Sequence, residues 1–149
     1  MNRPDHGDQA VRTWLLKLWA SPNSLVGLCL GGTGMLFGAH PLRDPARGIL
    51  YFVNMPAWLM PTAMSLGHVH VYGAGCHSRS DGCPALNRFG IATTLEESLH
   101  TRQAEVLGPF YLPLHAACML GSVLSGGGTH NHNPLEFGPE RGRGPWPWN

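Results

Sequence analysis

The sequence predicts an α+β domain: a short antiparallel hairpin or meander, a motif helix, a second helix and a long irregular C-terminal tail. Three observations carry this reading. Gly48 to Val53 (GILYFV) and Ala63 to Tyr72 (AMSLGHVHVY) are rich in the aromatic and branched residues that strands favour. Thr93-Thr94 followed by Glu96-Glu97 is a helix-start signal, with acids where the helix dipole favours them, and Gly108-Pro109 is a stop. Beyond Gly128 no periodicity survives, and Pro, Gly and Trp dominate the composition.

Taken in order, residues 1–12 read as a polar, mobile N-terminal tail, and 13–149 as a single domain. Thr13 to Ala20 (TWLLKLWA) is a short amphipathic helix, ended by the Ser21-Pro22-Asn23 turn. His40 to Arg47 is a loop with two prolines before the first strand. In the second strand His68 and His70 alternate with Val69 and Val71, which would place both imidazoles on one face. Gly73 to Pro84 is a surface loop, and Leu86 to Ala92 a short return strand completing a hairpin. The motif helix runs from Thr93 to about Leu107. Leu107 to Pro113 (LGPFYLP) is a rigid turn that holds a second helix, Leu112 to Ser125, against the first. In the tail, Trp146 and Trp148 would plug the core.

Composition narrows the function classes. A chain of 149 residues with 43% hydrophobic content can bury a core, and the charged fraction of 13% is about half that of ordinary soluble domains. Ten basic residues against nine acidic ones leave a net charge of +1, too little for the electrostatic footprint of a nucleic-acid binder. Four cysteines are no disulfide framework at this length, and Cys76 and Cys83 fit no tight zinc-knuckle spacing. The first ten residues hold two acids and no apolar core of a secretory signal, so a cytoplasmic protein is the default expectation. Three apolar stretches, Leu25–Gly38, Leu50–Leu66 and Val106–Gly127, leave peripheral contact with a membrane open. Glycines and prolines interrupt all three.

Nine histidines direct attention to metal chemistry. In Glu96-Glu97-Ser98-Leu99-His100, residues 96 and 100 stand one helical turn apart on one face and could both address one ion. This is the geometry of the HExxH zinc motif with Glu in the first ligand position, and Glu97 occupies the place of the general base. Gln103 shares the His100 face and could orient a substrate or a water.

These residues belong to a wider pattern. The stretches EESLHTRQ (96–103), LGPFYLP (107–113), HNPLEFGP (132–139) and GPWPW (144–148) resemble a family of small bacterial metallopeptidase-like proteins. That family's core reads HExxHTxQ, LGPLYLP, NxxExGP and PRPW. SPNSLVGLCLG (21–31) and MSLGHVHVYG (64–73) resemble its upstream segments, so the likeness spans roughly residues 13–148. The resemblance implies a zincin-like motif helix and zinc-dependent hydrolysis of a peptide or protein substrate. Carried over by position, it makes His100 a zinc ligand, Glu97 the base and Glu136 the third ligand beside Glu96. The chain departs from the family at Glu96, where His is usual. This leaves a catalytically silent, membrane-adjacent or protein-interaction scaffold as the alternative. His115, His130 and His132 compete with Glu136 for the third place, and His68 and His70 are further candidates.

Overall fold

The computed structural model describes residues 6–146 and 148. Its order is α1 (His6–Trp19), α2 (Ser21–Met35), β1 (His40–Asp44), β2 (Ile49–Met55), β3 (Ala63–Leu66), β4 (Val69–Gly73), α3 (Thr93–Leu107) and α4 (Tyr111–Leu124). The strands form one mixed sheet in the order β1-β2-β4-β3, with β2 and β4 parallel and the outer pairs antiparallel. The α+β class is therefore as expected, with helices before as well as after the sheet.

Several expected elements differ. Residues 1–5 of the expected mobile tail lie outside the described residues, while helix α1 already runs from His6. Helix α1 ends at Trp19, before Ser21-Pro22-Asn23 as expected, but those residues are no turn: they open α2, with Pro22 in its first turn, where a missing N–H leaves nothing unpaired. The two prolines of 40–47 do not prevent a strand, because β1 is an edge strand and Pro41 gives up no required donor there. The expected single strand 63–72 is a hairpin, turned at Gly67 (φ 69°) and His68, so His68 and His70 do not share a strand face. Leu86 and Ala92 make one isolated bridge that closes a loop, not a return strand. Thr93 does not cap α3: Ala92 holds the cap position, and the Thr93 hydroxyl donates to Ala85 O at 3.2 Å. Trp148 is 79% exposed and stacks parallel on Trp146 at 5.7 Å, so it is no core plug. All four cysteines are free thiols.

The sheet is covered on both faces. Phe52, Met55, Leu66, Val69 and Val71 form one cluster beneath α2. Asn54, at φ 58°, bulges β2 so that Met55 returns to the face of Phe52. Helix α2 meets this face through glycine: Gly27 lies on Val69, Gly31 on the Phe52 ring and Gly34 on Met55. Ile49, Tyr51, Val53 and Tyr72 form the opposite cluster under the 74–92 segment. Helix α3 packs beside the β3–β4 hairpin, where Thr101 takes hydrogen bonds from the sheet.

Residues 93–124 are long and apolar enough to cross a membrane as one rod. They do not form one, because Gly108 (φ 57°, ψ −135°) breaks the helix before a short 3-10 turn at Gly108–Phe110. Trp19 packs where a Gly108 side chain would stand, and Asn23 Nδ2 donates to Gly108 O at 2.7 Å. A straight helix would set His100 and His115 about 22 Å apart. Their rings are instead 5.6 Å apart, centroid to centroid. The LGPFYLP segment thus acts as the expected turn, folding α4 back on α3.

Candidate metal centre

Helix α3 supplies Glu96, Glu97, His100 and Gln103, α4 supplies His115, and the tail supplies Glu136 and Glu140. All of these but Gln103 line a cleft of 830 Å³ whose other wall is the edge strand β3 and the segment leading into it, Leu59 to Ser65. Four carboxylates face this one space, all of them buried.

Glu136 is the hub. Its Oε2 lies 3.1 Å from His100 Nε2 and its Oε1 2.9 Å from His115 Nε2. The three residues offer ligand atoms within 4.8 Å of one another and could hold a metal ion. The His100 tautomer follows from its neighbours. Gln103 Nε2 donates to Leu135 O at 2.8 Å and also to Pro145 O, so its Oε1 faces His100 Nδ1 at 2.9 Å as acceptor. His100 Nδ1 therefore carries the proton, and a neutral ring presents its Nε2 lone pair to a carboxylate. Two acceptors at that distance need a cation between them, either a second proton or a metal ion. Burial pulls the His100 pKa down, but the hydrogen bond and charge of Glu136 outweigh it and raise it to about 9. Burial would raise Glu136, yet its bonds to His100 and His115 hold it far below the usual carboxylate range.

Glu97 is wholly enclosed. Burial pushes its carboxyl up to about 8 against the opposing pull of His100, and the Ser65 backbone hydrogen-bonds to it. Its Oε2 has no partner. An orphaned carboxylate oxygen is costly to bury, and Glu97 belongs to the wall of the cleft. The donor set fits a zinc ion as well: two imidazoles and a carboxylate are the protein ligands of one class of catalytic zinc site.

Of the residues singled out by sequence, His100 and Glu136 meet as expected, with Glu97 beside them and Gln103 fixing the His100 ring. Glu96 is a correction. It lines the cleft but falls outside the donor groups, because Asn87 Nδ2 holds its Oε2 at 2.9 Å and at the same time donates to Glu140 O. His115 takes the place that spacing assigned to Glu96. His130 joins a second group with Glu136 and Glu140, but both Glu140 oxygens are bound by Arg88 NH2 at 2.9 Å. His132 is not among the clustered donors: its Nδ1 lies 2.9 Å from Ser125 Oγ and its N–H donates to Ser122 Oγ, which ties the tail to α4. His68 Nε2 lies 3.1 Å from Glu105. Sequence reasoning missed Asn87, Arg88 and Glu140. Their partners lie 9 to 53 residues away, so no local spacing marks them.

His70 is structural. Its Nε2 lies 2.7 Å from Thr101 Oγ1 and its Nδ1 3.2 Å from the Tyr72 hydroxyl. Thr101 donates to Gly67 O, so His70 donates to Thr101 from Nε2 and accepts from Tyr72. Burial lowers its pKa to about 3. The unfolded chain, near 6.5, then binds the proton first as pH falls, so native stability drops from pH 6.5 toward 3. Urea unfolding of the wild type is expected to lose about 1.5 kcal/mol between pH 6.5 and 5 through this group. His70→Gln should flatten that part of the profile. An equally steep acid loss in the variant would remove His70 as the cause.

Compared with known proteins, the chain matches no family model, and no curated protein or solved structure is significantly similar to it.

Proposed function

We propose that the protein is a zinc-dependent hydrolase acting on peptide bonds, with His100, His115 and Glu136 as ligands and Glu97 as the general base. One observation carries this reading: two imidazole Nε2 atoms converge on one buried carboxylate, while the other nitrogen of His100 is committed to Gln103. The excess of buried carboxylates around them calls for a cation. Zinc bound there supplies Lewis acidity toward a carbonyl and makes water more acidic.

The chain's own residues do the rest. With a cation bound beside it, which favours the ionised carboxylate over the neutral form that burial alone favours, Glu97 would take a proton from water as its oxygen attacks the peptide carbonyl carbon. The same carboxyl returns the proton to the amide nitrogen as the C–N bond breaks, leaving a carboxylate and an amine. Edge strand β3 runs along the cleft; its Ser65 backbone is bonded to Glu97, and its remaining outer edge is where an extended peptide would pair, which favours a peptide over a compact substrate. Gln103 keeps the His100 ring from turning.

The test is metal content after purification without tag or added metal, for the wild type, His115→Ala and Glu96→Gln. Near-stoichiometric zinc is expected in the wild type and in Glu96→Gln. His115→Ala should weaken zinc affinity by more than about 100-fold. Zinc that depends on Glu96 and not on His115 would overturn the ligand assignment. A wild type that takes up none, even when zinc is supplied, would leave a proton-bridged His–Glu cluster in a silent scaffold.

A further inference from the structure

We propose that the outer faces of α1, α2 and α4 form a docking surface for an anionic lipid bilayer, with the helices lying in the membrane interface without crossing it. This does not rest on the metal reading. It rests first on how the helices are turned. Helix α2 buries Gly27, Gly31 and Gly34 and exposes Leu25, Val26, Leu28 and Met35. A helix covering a sheet in water does the opposite, whereas small residues facing protein and large apolar ones facing outward suit a helix against lipid. Helix α4 shares the outward half of this pattern, exposing Leu114, Leu120, Val123 and Leu124, while it buries Tyr111 and Ser122. Helix α1 exposes Trp14, Leu15 and Leu18 beside Arg12.

These faces are neighbours. Trp19 Nε1 donates to Val106 O, Asn23 reaches Gly108, and Leu30 of α2 and Leu112 of α4 pack on the same core cluster. No formally charged residue occurs from Leu18 to Leu42 or from Val106 to Leu135. Exposed aromatic side chains, the type favoured at the membrane–water interface, accompany these helices: Trp14 within α1, Phe110 just before α4 and the edge-to-face pair of Phe37, just after α2, with Trp58.

Charge selects lipid over a second copy. On and beside this surface Arg12 of α1 and Arg102 of α3, a helix that packs against α1, are exposed, whereas Asp81, the one exposed acid among the residues whose side chains are described, lies in the loop after β4 beside Arg79. Anionic headgroups complement these cations, and a second copy brings no exposed acid to meet them. Length excludes a span. Helices of 15 and 14 residues reach about 21–23 Å against a hydrocarbon core of about 30 Å. Meanwhile α3 carries Glu96, Glu97 and His100 into the protein interior.

The experiment is flotation of the full chain with vesicles of phosphatidylcholine plus phosphatidylglycerol, and of phosphatidylcholine alone. Wild type should float with the anionic vesicles, and Leu25→Glu combined with Leu120→Glu should lower partitioning by at least about tenfold. Leu25→Phe with Leu120→Phe should retain it. As a readout independent of any variant, brominated lipid in the anionic vesicles should quench wild-type tryptophan fluorescence. Wild type left in the soluble fraction, absence of quenching, or flotation unchanged in the glutamate variant would overturn the proposal. So would a lipid-free dimer that the glutamate variant splits while neither protein binds vesicles.

Discussion

Glu97→Gln is expected to lower peptide hydrolysis by about 10²–10⁴-fold while leaving bound zinc in place. The amide keeps the size of the side chain but cannot accept the proton of the attacking water. It can still meet the Ser65 backbone, because the carbonyl oxygen of the amide accepts as a carboxylate oxygen does. The same change removes an ionisable group from a fully buried position where one oxygen has no partner. The variant should therefore melt no lower than the wild type, which separates a catalytic loss from a folding loss. Unchanged hydrolysis would take Glu97 out of the reaction. A parallel loss of zinc would mean that it holds the ion instead.

Gly31→Ala is expected to destabilise the fold by about 2–3 kcal/mol, or about 5–10 °C in melting temperature. A single added methyl at this position would stand inside the Phe52 ring, so α2 must lift or the ring must leave its place in the core. Gly32→Ala is the matched control. One residue along, the added methyl meets nothing, and the helix gains up to about 1 kcal/mol from the better helix former. Opposite signs at adjacent glycines, read by thermal melts, would establish that α2 rides on the sheet through its small residues. Equal effects would show that the glycines matter only through helix propensity.

Helix α3 was legible because its signals are local: acids in the first turn, and Gly108-Pro109 at the stop. So were the strand segments, whose composition is branched and aromatic. The hairpin turn at Gly67-His68 was hidden, since a glycine within alternating Val and His does not announce which way the chain goes. Half of the site was legible by helical spacing, which joined Glu97 to His100 and placed Gln103 on the same side. Spacing also paired Glu96 with His100, and that failed because Asn87, far from any motif, occupies the Glu96 carboxylate. His115 entered the site through the fold-back at Gly108, a backbone event that no one-dimensional pattern encodes. Hydropathy, likewise, gave the apolar content of α2 and α4 but not its direction, because glycine in and leucine out scores the same as the reverse.

The Gln103 amide has one more consequence. Its NH2 group is held by the carbonyls of Leu135 and Pro145, and its oxygen holds the His100 ring. The segment that carries Leu135 and Pro145 is thereby a guy-rope on the His100 imidazole: slacken its far end and the ring is free to swing.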